Sequence, residues 1–164
     1  IVGVADGISN SNRPEKASKL AMQLLSQTES ISRQTIYDLQ SSLSEELAED
    51  YFGSATTFVA AEVNQITRKA KILSVGDSRA YLIDTQGNWQ QITQDHSILS
   101  ELLADFPNKK EEDFATIYGG VSSCLVADYS EFQDKIFYQE IEIQQGESLL
   151  LCLLLFAQVL SFPP

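Results

Sequence analysis

The sequence predicts an α+β domain, in which helices cover a mostly antiparallel sheet. Two segments in the first third of the chain repeat apolar residues at helical spacing, and later segments rich in Thr, Val and Phe alternate with short polar turns. Consecutive strands joined by short turns favour an antiparallel meander over βαβ units. Because the chain has 164 residues, we interpret residues 1–164 as one domain, with two helices on the sheet and a second sheet possible behind it.

The two predicted helices follow a short strand over residues 1–5. The first is expected to begin at Asn12, with Glu15 completing a capping box and Pro14 in the first turn. The second is expected to be capped by Ser32. Each helix has one apolar face, which consists of Ala17, Leu20, Ala21, Leu24 and Leu25 in the first and of Ile36, Leu39, Leu43 and Leu47 in the second.

The remaining elements are predicted from β-branched and aromatic runs between turn residues. A third helix is expected within residues 93–106, followed by an exposed, charged loop over 107–118. The predicted strands are 55–63, 69–75, 80–83, 89–92, 121–126, 135–143 and 148–153.

The apolar run over residues 148–162 is too short for a membrane span, which needs about 20 residues. We interpret it as a buried strand that runs into a helix. The run would expose an apolar edge unless a partner, or a further segment of the chain, covers it.

Composition narrows the class of protein. A net charge of −12 argues against general nucleic-acid binding and suits a site for cations. Cys124 and Cys152 are expected to be reduced, buried thiols, which fits a cytoplasmic protein. The chain opens on a strand, without methionine or signal peptide, so we expect it to be a piece of a longer protein.

Two aspartates, Asp6 and Asp77, lie at the ends of predicted strands or in the turns between them. Asp6-Gly7 follows the first strand, and Asp77 lies in the stretch Val-Gly-Asp-Ser-Arg-Ala-Tyr over residues 75–81. With the segments 53–61, 87–97 and 141–152, these motifs resemble, in collinear order, the PP2C-type (PPM) metal-dependent serine/threonine phosphatases, and above all the bacterial members. The stretches Gly-Asp-Ser-Arg-Ala-Tyr and Thr-Gln-Asp-His-Ser together carry the resemblance, whereas Asp-Gly alone is common in turns.

The resemblance implies a four-layer α/β/β/α sandwich with mostly antiparallel sheets. It also implies Mg²⁺ or Mn²⁺ ions that activate water for direct hydrolysis of phosphoserine or phosphothreonine in a protein substrate. Asp6 would be the bridging metal ligand and the predicted catalytic residue. Gly7 would contribute its carbonyl oxygen, and Asp77 would hold an accessory ion.

The same residues also allow structural interpretations. Asp6-Gly7 could be a plain turn, and Asp77 a turn or cap residue. Arg79 is expected to form a structural ion pair. A hydrolase triad of Ser54, His96 and Asp95 is disfavoured because the sequence has no Gly-x-Ser-x-Gly elbow, so Asp95 is expected to cap a helix and His96 to be structural. The run 109–113 is expected to be a solvated face or a flap, and Gly119-Gly120 a hinge or a turn.

The chain departs from the family pattern at several positions. The family's phosphate-binding arginine would precede residue 1, its last Asp-Asn motif would follow residue 164, and Ile8 stands where many members have histidine. Leu154 stands where the family has its second core metal-binding aspartate. We therefore expect the domain to lack its N-terminal start and C-terminal strands, and expect weak or absent metal binding. The causes left open are a pseudoenzyme, a truncated chain and an error in the coding sequence.

Three functions remain after the sequence is considered alone. The first is a serine/threonine phosphatase with impaired activity. The second is a pseudophosphatase that binds phosphoproteins or regulates a partner, and the third is an unrelated acidic interaction domain. Metal occupancy separates the first two, and a fold without two facing sheets would favour the third.

Overall fold

A computed structural model describes residues 1–114, 120–130, 132 and 135–153, together with the backbone of a strand at 157–161. Its elements in chain order are β1 (Val2–Val4), α1 (Pro14–Leu25), α2 (Arg33–Tyr51), β2 (Ala55–Thr56), β3 (Phe58–Asn64), β4 (Lys69–Val75), β5 (Arg79–Ile83), β6 (Trp89–Gln91), α3 (Ile98–Asp105), a 3₁₀ turn (Glu111–Phe114), β7 (Leu125–Val126), β8 (Phe137–Glu142), β9 (Ser148–Cys152) and β10 (Ala157–Ser161).

The strands form two four-stranded antiparallel sheets and one short ribbon. The first sheet has the order β1-β3-β4-β8, the second the order β10-β9-β5-β6, and β2 pairs with β7. The prediction of a mostly antiparallel α+β fold is confirmed. The prediction of one meander is wrong, because β4 and β5 belong to different sheets although only residues 76–78 separate them.

Alternating side chains of the first sheet belong to two hydrophobic cores, one on each face of the sheet. Along β3, Phe58 and Ala60 pack against the helices, while Val59 and Ala61 face the second sheet. The helix-facing core includes Leu20, Leu25, Ile36, Leu39, Leu43, Leu73 and Val75, and the core between the sheets includes Ile72, Ala80, Leu149 and Leu151. Helices α1 and α2 form one layer, and the first sheet and the second sheet follow it as two more.

Helix starts follow the predictions only in part. Ser32 is the N-cap of α2, as predicted, with its N–H donating to Thr35 Oγ1 at 3.0 Å. The predicted capping box at Asn12 is wrong. Arg13 is the N-cap of α1 in a left-handed conformation with φ 53°, and Asn12 instead donates to the carbonyl oxygen of Phe52. Pro14 occupies the first turn as predicted.

The leucine-rich run forms two strands in the described residues. Leu149, Leu150 and Leu151 are buried in β9, and β10 pairs with β9 in antiparallel register from Ser148↔Ser161 to Cys152↔Ala157. The prediction that the run ends in a helix is therefore wrong, because residues 157–161 extend and join the sheet edge. Leu154 lies outside the described residues.

Other boundaries differ by a few residues. The strand predicted over 121–126 contracts to Leu125–Val126, and the loop over 107–118 contains the short turn Glu111–Phe114. Among the described residues neither Cys124 nor Cys152 forms a disulfide, and both are only partly buried. Among the helices in the described part of the chain, none has both the length and the apolar character required to cross a bilayer.

Candidate metal centre

The passage from β4 to β5 presents Asp77 at one end of the first sheet. Gly76 turns the chain with φ 96°, a conformation that side chains of L-residues rarely adopt. A Cβ atom on Gly76 would also lie 2.7 Å from the Thr57 side chain. The glycine thus allows the chain to change sheets tightly against β3, and Asp77 follows directly in the passage.

Asp6 reaches the same end of the sheet from β1. Its carbonyl oxygen accepts hydrogen bonds from the Thr57 N–H at 2.8 Å and from Thr56 Oγ1 at 2.9 Å. Gly7 pairs with Thr56, and a Cβ atom on Gly7 would lie 2.6 Å from the carbonyl oxygen of Pro14. Gly7 therefore packs closely against the start of α1, while Asp6 beside it is exposed at the junction between sheet and helix.

Thr57 links the two acidic segments. Its backbone N–H holds Asp6, and its Oγ1 lies 2.6 Å from Ser78 Oγ, next to Asp77. Both hydroxyl-bearing residues are buried. The fold therefore brings Asp6 and Asp77 to one edge of the sandwich, although they are far apart in sequence.

The electrostatics of Asp77 reflect this crowding of acids. Burial raises the pKa of its carboxyl, and the negative charges of Asp95 and Asp6 raise it further. Its own backbone N–H and the charge of Arg79 oppose the rise without cancelling it. A cation at this position would relieve the repulsion between the carboxylates.

Arg79 and Asp95 form the ion pair next to this acid. Arg79 Nε lies 2.9 Å and 3.0 Å from the two carboxylate oxygens of Asp95, Nη2 lies 2.5 Å from Oδ2, and Gln91 Nε2 also donates to Asp95. The predicted structural role of Arg79 is confirmed, and the pair raises the pKa of its guanidinium. The predicted capping role of Asp95 is wrong, because Ser97 caps α3.

His96 is buried and holds the β4–β5 passage. Its ring Nδ1 accepts a hydrogen bond from the Gly76 N–H at 3.1 Å, and its backbone N–H donates to the Gly76 carbonyl oxygen at 2.9 Å. Ser54 Oγ donates to the carbonyl oxygens of Asn12 and Tyr51 instead. These contacts confirm a structural role for His96 and match the rejection of a Ser54–His96–Asp95 triad.

A groove of about 270 Å³ opens beside Asp95 and His96. Across it, Glu101 of α3 pairs with Lys135 at 2.9 Å and accepts from Ser122 Oγ at 2.8 Å. Gly120 accepts from the Ile98 N–H nearby, whereas Gly119 lies outside the described residues. The groove is thus lined by charged and polar side chains next to the Arg79–Asp95 ion pair.

Oxygen donors of the kind that hard cations take lie at this edge of the sandwich. Carboxylate and carbonyl oxygens are the ligands that Mg²⁺ and Mn²⁺ take, and Asp6, Gly7 and Asp77 offer them. No group of three or more His, Cys, Asp or Glu side chains suited to a metal ion occurs in the part of the chain that is described. The position of Leu154, where sequence predicts the missing acid, lies outside that part.

Sequence reasoning missed the residues that bring the acids together. Thr57 and Ser78 are ordinary strand and turn residues in sequence, and their contact spans 21 positions. The signal that could have found them is the Gly76 turn, because a glycine between two strands marks a close backbone approach.

Comparison with known proteins finds relatives that are named as serine/threonine phosphatases. No protein-family model matches the chain. A serine/threonine phosphatase stp from Listeria monocytogenes serovar 1/2a is 32% identical over 93% of this chain, and its counterpart from Listeria innocua serovar 6a is 30% identical over the same share. The chain spans 64% of the length of each of these two relatives.

Solved structures agree with the fold. A bacterial serine phosphatase matches with a TM-score of 0.73 and 27% identity, covering 91% of this chain and 64% of that one. A serine/threonine phosphatase from Staphylococcus aureus matches with a TM-score of 0.73 and 26% identity, covering 91% and 62%. The catalytic domain of the phosphatase PstP, solved with two manganese ions, shares the fold at 22% identity and a TM-score of 0.68, covering 91% and 64%.

Proposed function

Because this chain belongs to the PP2C-type family of metal-dependent serine/threonine phosphatases, we propose that it is part of a domain that hydrolyses phosphoserine and phosphothreonine in proteins. The observation that carries the proposal is the meeting of Asp6 and Asp77 at one edge of the sandwich, where burial and then the charges of Asp95 and Asp6 raise the pKa of Asp77. The proposed substrate is a phosphorylated protein, and the proposed location is the cytoplasm.

Each site residue has a proposed task. Asp6 and the Gly7 carbonyl would hold Mg²⁺ or Mn²⁺, and Asp77 would hold an accessory ion. When bound, such ions neutralise phosphate charge and lower the pKa of a coordinated water. Thr57 fixes the backbone of Asp6 and contacts Ser78, so it keeps the spacing of the acids. The groove beside Asp95 and His96 would accept residues that flank the phosphorylated side chain.

A second candidate function is a pseudophosphatase that binds a phosphoprotein without hydrolysing it. The observation in its favour is the donor set, since the described residues bring together two carboxylates and no group of three metal-binding side chains. Two divalent ions need more compensating negative charge than one core acid supplies. The phosphatase and the pseudophosphatase would bind the phosphoprotein in the same groove, but only the phosphatase would hydrolyse it.

Hydrolysis of para-nitrophenyl phosphate with added Mn²⁺ tests the proposal. We expect turnover that depends on Mn²⁺ and falls on the order of 100-fold in Asp6→Asn, because several kcal/mol of transition-state stabilisation go through this ligand. The matched control Asp38→Asn changes an exposed carboxylate on α2 and should keep full activity.

Two results would count against a phosphatase. Turnover that Asp6→Asn leaves intact would exclude the proposed site. No Mn²⁺-dependent turnover, combined with saturable binding of a phosphoserine peptide, would establish the pseudophosphatase instead.

A further inference from the structure

The residues on both sides of Asp77 are held by hydrogen bonds, whereas the Asp77 carboxylate accepts from its own N–H. On one side, Gly76 is bound through both its N–H and its carbonyl oxygen by His96. On the other side, the Ser78 hydroxyl contacts Thr57 Oγ1. The direction of the Asp77 carboxylate therefore depends on how firmly these two neighbours are fixed.

The ring of His96 supplies half of the hold on Gly76. A backbone N–H can only donate, so Nδ1 must be the acceptor and the proton of the neutral ring lies on Nε2. Because Gly76 has φ 96° and presses against Thr57, it has little room to find another acceptor. Loss of the ring acceptor would leave a buried N–H unsatisfied at the turn that presents Asp77.

The backbone of His96 is anchored independently of its ring. Its carbonyl oxygen accepts from the Ser122 N–H at 3.0 Å, and the next residue, Ser97, pairs with Val121. The Ile98 N–H also donates to Gly120 at 2.9 Å. Replacement of the imidazole therefore removes the hydrogen bond from the Gly76 N–H, while these backbone hydrogen bonds of the segment do not depend on the ring.

From these contacts we propose that His96 is a positioning residue for Asp77. Through the bond from the Gly76 N–H to Nδ1, it orients the Asp77 carboxylate toward Asp6 and so sets the affinity for a divalent cation at this edge. The expected effect on cation affinity rests on the proposed metal-dependent function, whereas the hydrogen bond between Gly76 and His96 can be measured without metal.

Three variants at position 96 test the inference. Asparagine places its Oδ1 at the same number of bonds from Cα as Nδ1 of histidine, whereas glutamine places its oxygen one bond further and leucine offers none. We expect His96→Asn to keep the Gly76 bond, and His96→Gln and His96→Leu to lose it. In the metal-free chain, exchange of the Gly76 amide proton should accelerate about 10-fold in the latter two, with a shift of the Asp77 amide signal.

Titration with Mn²⁺ then measures the consequence. Broadening of the Asp77 amide signal by Mn²⁺ should require about 10-fold more metal in His96→Gln and His96→Leu than in the wild type or His96→Asn. Asp77→Asn defines the metal binding that depends on this acid.

Two results would overturn the inference: a Gly76 amide that exchanges equally fast in all four proteins, or an asparagine variant as impaired as the leucine variant. If the leucine variant does not fold, the pair His96→Gln and His96→Asn decides, because equal Gly76 exchange in these two contradicts the hold. If Gly76 responds as expected but the wild type binds no Mn²⁺, the proposed function fails while the hold on Asp77 stands.

Discussion

Two carboxylates at opposite ends of the first sheet show how one chain uses acids for different purposes. Glu62 accepts hydrogen bonds from Ser30 Oγ at 2.7 Å, the Ile31 N–H at 2.8 Å and Lys71 Nζ at 2.9 Å. Burial works to raise its pKa, but these donors lower it overall. Burial and neighbouring acids raise the pKa of Asp77 instead. Glu62 has three hydrogen-bond donors, one of them a lysine, whereas Asp77 forms no salt bridge with any other residue that the structure describes.

The largest expected effect is on the Glu62 end. Glu62→Ala removes the acceptor for three donors and should lower the free energy of unfolding by about 2 kcal/mol in urea denaturation at pH 7. The control Glu49→Ala removes an exposed carboxylate on α2 and should change it by less than about 0.5 kcal/mol. If Glu62→Ala and Glu49→Ala lowered the free energy of unfolding equally, the hydrogen bonds of Glu62 would contribute no net stability.

Acid should weaken this contribution. Because the pKa of Glu62 is lowered on folding from its ordinary value of 4.5, its stabilisation is complete above that value and is lost as the pH falls through the folded pKa. The difference between wild type and Glu62→Ala should therefore shrink below pH 4.5.

Two buried serines near the Asp77 end differ in hydrogen bonding. The Ser78 hydroxyl has a partner, and the Ser74 hydroxyl has none among the described residues. Ser78→Ala should lower the free energy of unfolding by about 1 kcal/mol, because Thr57 Oγ1 loses its 2.6 Å hydrogen bond and keeps only the 3.5 Å contact with the Asp6 carbonyl oxygen. Ser74→Ala should be neutral or stabilising by up to about 1 kcal/mol, since Ser74 Oγ is the one buried side-chain polar atom without a partner among the described residues. Thermal and urea denaturation of both variants check this, and a large loss in Ser74→Ala would mean that its hydroxyl has a partner after all.

The smallest expected effect is at Asp77 itself. Its raised pKa means that the ionised form is disfavoured by folding, so Asp77→Asn should gain a few tenths to about 1 kcal/mol at pH 7. The gain should fade as the pH falls through the raised pKa and vanish below the ordinary value of 3.8. Added Mn²⁺ should reverse the order of stability, since only the wild type offers the carboxylate. A loss of stability at pH 7 without metal would contradict the cation-poor character of this end.

Sequence predicted the elements of this fold better than their connections. The helical spacing in α1 and α2 identified the face that covers the sheet, because that spacing directly reflects burial. The change of sheet between β4 and β5 was not predicted, since a three-residue link looks the same in a hairpin and in a crossover. The leucine run was misjudged because an unbroken apolar run has neither a helical nor a strand period.

The family resemblance named Asp6, Gly7 and Asp77 as metal ligands, and their metal binding stays a prediction. The contact between Thr57 and Ser78 and the hydrogen bonds between His96 and Gly76 needed coordinates. Likewise, nothing in the sequence linked Glu62 to Ser30. These contacts depend on side-chain direction across strands, which sequence patterns fix only to a face.

The crossover at residues 76–78 also bears on the order in which the molecule assembles. The hairpins β3–β4 and β5–β6 join neighbours in sequence, so they can form early, whereas β1, β8 and β9 reach their partners from distant parts of the chain. The link between the hairpins acquires its final shape only when both sheets dock. We therefore expect Asp77 to reach its native surroundings late in folding, so that substitutions around Gly76 speed unfolding more than they slow folding.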